Sequence, residues 1–206
     1  MKIFDISLPL NEQTIIYPGT TSLKITPTRS TVTGSALSEI TLSSHAGTHI
    51  DAPSHVIEGG KTIDQINLET FYGPCRVLDF SQVKEGISVS DLESKNIKEG
   101  ERILLKTNNS KRGFEQFYQD YIYLTSEAAF YLAQQKIKLV GIDSLSIKKR
   151  GLQDNRAHIE LLSKDIPILE GLNLGEVEEG EYTLIAFPLA FTGIDGSSAR
   201  AIIVKY

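Results

Sequence analysis

The sequence predicts a mixed α/β fold in which strands outnumber helices. Short apolar or alternating segments, the usual pattern of β-strands, recur along the chain. They lie at residues 2–7, 23–29, 36–43, 75–80, 102–107, 139–142, 182–189 and 199–204. The strongest helical pattern, at residues 125–136, leads directly into the apolar strand at 139–142. A helix that returns to such a strand indicates a sheet that is covered on at least one side.

Length and composition bound the class of protein. A chain of 206 residues fits one large domain, and no linker of biased composition divides it, so we predict a single domain over residues 1–206. Hydrophobic residues at 40% and charged residues at 23% are typical of a soluble globular protein. A net charge of −5, without a basic stripe interleaved with aromatic residues, gives no reason to expect nucleic acid as a partner.

Cysteine content and the N-terminus give an expectation for location. Cys75 is the only cysteine, so no intrachain disulfide is possible and we expect it to act as a small buried hydrophobe. Residues 1–5 lack the apolar core of a signal peptide, and no apolar run approaches the roughly 18 residues of a membrane span. We therefore expect a cytoplasmic protein with no membrane partner.

The remaining segments are assigned in order. Residues 11–21 form a polar loop around Tyr17, and Thr62 is expected to cap a short helix. A second helix is expected to start at Ser90, and Thr125 or Ser126 caps the helix that follows. The aromatic segment 108–120 has no clear period and could be pocket wall, oligomer contact or plain surface loop. The basic run 148–150 is expected to be a solvated loop.

Histidines are concentrated in one place. Three of the four in the chain lie within residues 44–55, together with Asp51. Neutral imidazole and carboxylate are ordinary ligands of Zn²⁺ and similar ions. In a straight strand His45 and His49 would lie about 13 Å apart, so the backbone must curl near Gly47, which tolerates positive φ. Pro53 opposes a continuous helix. We predict a strand that ends near residue 43, followed by an ordered loop that carries the ligands.

The fourth histidine, His158, lies in a helical pattern that starts after residues 154–155. It could be an ordinary surface group, and three acids lie nearby. Glu160 would point to a different helix face. Glu170 is flanked by isoleucine and leucine, and a carboxylate in so apolar a strand needs a metal or a cationic partner. This favours Glu170 over Asp165 and Glu160 as the partner of His158.

The segment His-Ala-Gly-Thr-His-Ile-Asp-Ala-Pro-Ser-His at residues 45–55 resembles the HxGTHxDxPxH signature of the cyclase family of metal-dependent hydrolases, which includes the bacterial kynurenine formamidases. Residues 4–7 and 17–19 are similar to the opening of that family, and residues 140–146 resemble its GIDxxSI segment. Residues 157–162 and 168–172 are similar to its second pair of ligands. The resemblance extends over most of the chain.

The resemblance implies a swivelling β/β/α architecture and a binuclear site, with Zn²⁺, or Mn²⁺ as the alternative. It implies that one ion is held by His45, His49, Asp51 and Glu170, and the second by Asp51, Glu170 and His158. His55 would be the proton shuttle. The resemblance also places Tyr17 against the substrate, often across a subunit boundary, and implies a homodimer or homotetramer; packing beside a turn proline is the simpler role for Tyr17.

The activity implied is that of an arylformamidase, which cleaves N-formyl-L-kynurenine to kynurenine and formate in tryptophan catabolism. Tyr17 departs from the tryptophan usual at this position in those enzymes, and relatives with the same motif cleave other small amides, including isatin. Two alternatives therefore stay open. The same metal site could act on another lactam, amide or ester, or the chain could be a non-catalytic metal-binding protein.

Overall fold

A nine-stranded mixed sheet organises the fold. The structure is a computed structural model, and it describes residues 1–30 and 33–206. Over these residues the strands are β1 (Lys2–Asp5), β2 (Lys24–Arg29), β3 (Ala36–Thr41), β4 (His49–Asp51), β5 (Tyr72–Asp79), β6 (Gly86–Ile87), β7 (Arg102–Lys106), β8 (Tyr123–Leu124), β9 (Leu139–Ile142), β10 (Ile168–Glu170), β11 (Gly180–Ile185), β12 (Gly196–Ser198) and β13 (Ile202–Lys205). The α-helices are α1 (Val89–Glu93), α2 (Asn108–Arg112), α3 (Ser126–Gln134) and α4 (Arg156–Leu162). Single 3₁₀ turns lie at Pro53–His55, Ile63–Gln65 and Leu68–Thr70.

The strand order in the large sheet is β1-β13-β11-β5-β7-β9-β10-β4-β12. The four central strands β5, β7, β9 and β10 are parallel neighbours, whereas β4 is antiparallel to both β10 and β12. Strands β2 and β3 form a separate antiparallel ribbon. The mixed α/β class predicted from the sequence is confirmed.

Hydrophobic residues pack against both faces of the sheet. On β7, Ile103 and Leu105 contribute to the cluster that includes the apolar sides of α1, α3 and α4, whereas Leu104 contributes to a second cluster. This alternation is the period of two expected of a strand that is buried on both faces. The second cluster is completed by residues of β4, β11 and β13. The sheet therefore separates two hydrophobic layers.

The two best-patterned helices form as predicted. Helix α3 begins after Thr125, whose hydroxyl accepts a hydrogen bond from the Ala128 N–H at 3.2 Å. Its buried side chains are Ala128, Ala129, Leu132 and Ala133. Helix α4 follows Asn155 and buries Ala157, His158, Leu161 and Leu162. Both helices place their apolar faces against the sheet, which explains their stability despite lengths of only nine and seven residues.

Two local expectations are wrong. The predicted ligand loop contains a strand, β4, because residues 49–51 pair with β10 and β12 on either side. Helix α1 begins at Val89, since Ser88 and not Ser90 caps it. The aperiodic segment 108–120, for which the sequence leaves three roles open, is partly helical. Thr107 caps α2, and the buried Asp143 carboxylate accepts hydrogen bonds from the N–H groups of Thr107 at 2.9 Å and Ser110 at 3.2 Å.

Cys75 is buried in β5, as predicted, and burial raises the pKa of its thiol to about 12. A thiol in this state is protonated near neutral pH and is a poor nucleophile. Over the described part of the chain, no helix combines the length and the apolar character needed to cross a membrane.

Candidate metal centre

The backbone does curl at Gly47, where φ is +61°. Gly171, at the end of β10, also has a positive φ of +68°, and a Cβ there would clash with the carbonyl oxygen of Gly47. Thr48 locks this contact, because its hydroxyl donates to the Gly171 carbonyl at 2.6 Å and accepts from the Leu8 N–H at 2.8 Å. The curl brings the His45 and His49 rings to a centroid distance of 5.0 Å.

Strands β4 and β10 place two acids beside His49. His49 lies opposite Glu170 in the antiparallel register. Its Nε2 atom is 3.4 Å from Asp51 Oδ1 and 3.4 Å from Glu170 Oε2. The other ring nitrogen, Nδ1, is 2.9 Å from the Gly47 carbonyl oxygen, which can only accept, so Nδ1 carries a proton. This bond orients the ring with Nε2 toward the two carboxylates.

Helix α4 brings His158 to the other side of the same acids. Its Nε2 atom is 3.3 Å from Glu170 Oε1 and 3.6 Å from Asp51 Oδ2. Glu170 Oε1 is also held by the Ile147 N–H at 2.6 Å. Among the described residues, Asp51 Oδ2 and His158 Nδ1 are buried without a hydrogen-bond partner. Glu160, by contrast, lies on the outer side of α4 and pairs with Arg156 at 3.4 Å.

His45 connects this cluster to an acid that the sequence analysis missed. Its Nδ1 atom is 2.7 Å from Asp51 Oδ1, and its Nε2 atom is 2.8 Å from Asp195 Oδ2. Asp195 precedes β12 in a glycine-rich turn and also accepts from the Ser44 hydroxyl at 3.0 Å. Aspartate is common in turns for purely local reasons, so no feature of the sequence near residue 195 signals its role.

His55 lies at the opening of the cluster, in the 3₁₀ turn that starts at Pro53. Its ring centre is 4.3 Å from that of His45 and 5.5 Å from that of His158. Its Nδ1 atom makes a long contact of 3.5 Å with Asp195 Oδ2. The His55 side chain is 29% exposed, whereas those of His49 and His158 are at most 4% exposed. His55 is therefore the histidine most accessible to a small molecule.

Tyr17 lines the same cavity of about 420 Å³ as the four histidines and Glu170. Its ring packs edge to face against Phe117 at 5.5 Å. Phe117 belongs to segment 108–120, so part of that segment stands directly behind the wall of the cavity. The structure thus brings together all seven residues singled out in the sequence. His49, Asp51, His158 and Glu170 lie buried at the base of the cavity, and His45, His55 and Tyr17 are among the more exposed residues that line it.

The charges of the cluster are strongly coupled. Burial alone raises the pKa of Asp51, but hydrogen bonds with His45 and His49 hold it well below its usual range. Burial and the charge of Asp51 raise the pKa of Glu170, while His158 and His49 lower it, with a net decrease. Burial lowers the pKa of His49, but its two carboxylate partners raise it to about 10. Each buried carboxylate thus requires positive charge beside it.

The donor set suits a divalent cation. One potential ligand atom each from His49, Asp51 and Glu170 lies within 4.8 Å of the others, and the same holds for His45, Asp51 and His55. Imidazole and carboxylate groups in this number match the ligands of Zn²⁺ and of related ions. A cation would supply the positive charge that histidine protons supply in its absence, and it would engage the unpaired Asp51 Oδ2 atom. The cluster could therefore hold metal.

Comparison with known proteins places this geometry in context. The Cyclase family model matches residues 4–149. A protein of Bacillus cytotoxicus named kynurenine formamidase is 38% identical over 202 residues, which cover 97% of this chain and 95% of that protein.

Solved structures with similar folds are also described as hydrolases. One, described as a potential metal-dependent hydrolase with cyclase activity, has 37% identity and a TM-score of 0.89 over 98% of this chain and 96% of that one. Isatin hydrolase A from Labrenzia aggregata has 25% identity and a TM-score of 0.84 over 100% of this chain and 94% of that one. The resemblance noted in the sequence is confirmed, and the chain is a member of the Cyclase family of hydrolases.

Proposed function

We propose that the protein is a metal-dependent amidohydrolase that acts on non-peptide C–N bonds, and specifically an arylformamidase that converts N-formyl-L-kynurenine and water to kynurenine and formate. The observation that carries the proposal is the pair of buried carboxylates, Asp51 and Glu170, each contacted by imidazole groups at the base of an open cavity. The relatives named kynurenine formamidase, which match nearly the whole chain, support the choice of substrate.

In this proposal Asp51 and Glu170 would help to hold both of two ions, Zn²⁺ or alternatively Mn²⁺. His45 and His49 would complete the ligands of one ion, and His158 those of the other. The mutual distances support this division, because His49 and His158 lie on opposite sides of the two carboxylates and contact different Glu170 oxygens. The unpartnered Asp51 Oδ2 atom supports a second ligand bond from that side chain.

The chemistry divides between the ions and the protein. Bound ions would polarise the formyl carbonyl and lower the pKa of water from 15.7 toward neutrality. His55 accepts the proton that the water loses on attack and donates it to the aniline nitrogen as the C–N bond breaks. The His55 side chain is 29% exposed, so its ring can reach both the attacking water and the leaving nitrogen, and an imidazole nitrogen can accept a proton and then donate it.

Aromatic residues in and behind the cavity wall would bind the aryl ring of the substrate. Tyr17 lines it, and Phe117 packs behind Tyr17 at 5.5 Å. An aryl ring of the substrate would stack or pack edge to face on Tyr17, an interaction worth about 0.5–1.5 kcal/mol beyond area burial. The edge-to-face contact with Phe117 restrains the Tyr17 ring, so the aryl group would meet a wall that is already in place.

A substrate comparison tests the proposal. We expect the purified protein, loaded with Zn²⁺ or Mn²⁺, to release kynurenine from N-formyl-L-kynurenine, measured by the absorbance of the product, and to turn over isatin at least about 10-fold less efficiently. Turnover of isatin alone would instead support the lactam alternative, which keeps the same site. Failure on both, with metal bound, would support a non-catalytic metal-binding protein.

We also propose that the protein is a cytoplasmic homodimer or homotetramer. Apart from its other subunits, the partner that we propose for it is its small-molecule substrate. Three aromatic or aliphatic residues that follow β11, Phe187, Leu189 and Phe191, are 43%, 52% and 46% exposed. Apolar exposure clustered in this way is typical of an interface between subunits. Light scattering coupled to size-exclusion chromatography would measure the mass, and a monomer would contradict this part of the proposal.

A further inference from the structure

The basic run at residues 148–150, expected from the sequence to be a solvated loop, is divided by the structure into three different environments. Lys148 Nζ donates to Asn155 Oδ1 at 2.7 Å and so braces its own loop. Lys149 Nζ pairs with Glu85 at 2.6 Å on the outside of the protein. Lys148 and Arg150 both line the cavity that contains the histidine cluster, but the ammonium of Lys148 is already hydrogen-bonded within its own loop. Only Lys149 matches the expectation.

The guanidinium of Arg150 is held by aromatic rings. Its Cζ atom lies 4.9 Å from the ring centre of Tyr17 and 5.5 Å from that of Phe117. Such contacts attract the cation to the ring faces, while the N–H groups in the plane of the guanidinium stay available to an acceptor. Residue 150 is partly buried, so the side chain is restrained without being sealed from the cavity.

Within residues 1–30 and 33–206, no carboxylate lies within 4.0 Å of the Arg150 guanidinium, and this group makes no side-chain hydrogen bond. The acids at the base of the cavity do not neutralise it, because Asp51 and Glu170 are engaged by the histidines. An arginine has five N–H donors and stays charged at any accessible pH. A partly buried guanidinium with open donors in a substrate cavity is therefore suited to an anion that enters from solution.

We propose that Arg150 determines specificity by binding a carboxylate of the substrate, so that the preferred substrates are aryl amides that carry a carboxylate away from the scissile bond. The inference rests on the proposed amidase function, and it adds the requirement that the substrate carries a carboxylate. Arg150 and Tyr17 line the cavity together with His55 and Glu170. One molecule can thus place its ring on Tyr17, its carboxylate at Arg150 and its amide at the histidine cluster.

The test pairs two substrates with two variants. N-formyl-L-kynurenine carries a carboxylate, and formanilide has the same anilide bond without one. We expect Arg150→Gln to raise KM for N-formyl-L-kynurenine about 10- to 100-fold, the range for loss of a charge-assisted hydrogen bond, and to change KM for formanilide less than about 2-fold. Lys149→Gln removes the adjacent charge outside the cavity and should leave both KM values unchanged.

Equal changes in KM for the two substrates, or no change for either, would overturn the role of Arg150. Loss of turnover on both substrates with bound metal intact in the wild-type protein would overturn the amidase function instead. In that case calorimetric titration with L-kynurenine still decides the point about Arg150. Binding to wild type at least about 10-fold tighter than to Arg150→Gln supports the carboxylate site, and equal affinity overturns it.

Discussion

The base and the opening of the cavity are built in opposite ways. The base consists of His49, Asp51, His158 and Glu170, whose side chains are at most 4% exposed. All four are carried by strands β4 and β10 or by helix α4. The opening consists of His55, Asp195 and Arg150, which lie in turns and loops. The His55 and Asp195 side chains are 29% and 42% exposed.

This difference teaches how the site divides its tasks. Charges that must stay close together, as in a metal centre, are stable only where rigid elements hold compensating groups beside them. Groups that exchange protons or contact a substrate need access to it, so they occupy partly exposed turns whose exact position tolerates variation. Substitutions in the two regions should therefore fail in different ways, and four predictions test that division.

The largest effect is expected at the base. Glu170→Gln replaces a proposed metal-binding carboxylate by a neutral amide, so we expect bound metal to fall by at least one equivalent per chain. We expect activity to fall by more than the roughly 10- to 100-fold loss that follows removal of a group that only positions a ligand. Elemental analysis and the formamidase assay measure both. Glu160→Gln is the matched control, because Glu160 pairs with Arg156 on the outer face of α4. Full metal content in Glu170→Gln would contradict the assignment.

The next effect is expected at the opening. His55→Gln removes the proposed proton carrier, and we expect kcat to fall about 10²- to 10⁴-fold while the metal content stays within error of wild type. A parallel loss of metal and activity would instead show that His55 is a metal ligand. Its position permits this, because His45, Asp51 and His55 form one group of potential ligands. This variant therefore decides on which side of the division His55 lies.

A smaller effect is expected for Asp195, which orients His45 from the opening. Asp195→Asn keeps the size of the side chain but weakens the contact of 2.8 Å with His45 Nε2. We expect metal affinity to fall about 10-fold, the lower end for a group that positions a ligand, with the fold unchanged. Competition with a chelator measures the affinity. Asp120→Asn, which alters an exposed pair with Arg112, is the control and should have no effect.

The smallest effect concerns pH and the metal-free protein. The carboxylate partners of His49 raise its pKa to about 10, against an ordinary value near 6.5 in the unfolded chain. Their stabilising contribution is therefore complete below pH 6.5 and is lost as the pH rises toward about 10, because the folded state holds its proton longer than the unfolded state. We expect the Tm measured in chelator to fall by a few degrees between pH 6.5 and 9.

Metal addition should reverse this trend, since a bound ion replaces the proton and binds more tightly as the pH rises. The lowered pKa values of Asp51 and Glu170 act in a separate window, because their contribution is lost only as the pH falls through the acid range. A Tm in chelator that is constant or rises from pH 6.5 to 9 would show that His49 is not held as a cation in the metal-free cluster.

Much of the cavity base could be predicted from the sequence because its signals are local. Three histidines and an acid within twelve residues are rare by composition, and the need for a bend at Gly47 follows from strand geometry alone. Glu170 is distinguished from Glu160 by its apolar neighbours, which imply burial. The structure places each of these side chains in the cluster, although their role as metal ligands stays a prediction.

The opening could not be predicted in the same way, because its contacts join distant parts of the chain. Asp195 contacts His45 across 150 positions, and Arg150 contacts Tyr17 across more than a hundred. Neither residue has neighbours that distinguish it from an ordinary turn or basic loop. Strand β4 could not be predicted for a related reason. It has only three residues, between Gly47 and Pro53, and these are too few to show the alternating pattern of a strand. The strand forms because these residues pair with β10 and β12.

The position of β4 between β10 and β12 has a consequence for biosynthesis. The histidine motif leaves the ribosome more than a hundred residues before the segments that flank it in the sheet, residues 168–170 and 196–198. Contacts of such high sequence separation form late and slowly. Until residue 198 has been synthesised, a nascent chain would therefore expose His45, His49 and His55 as an unpaired imidazole-rich segment, open to adventitious ions, because strand β12 is not yet there to pair with β4.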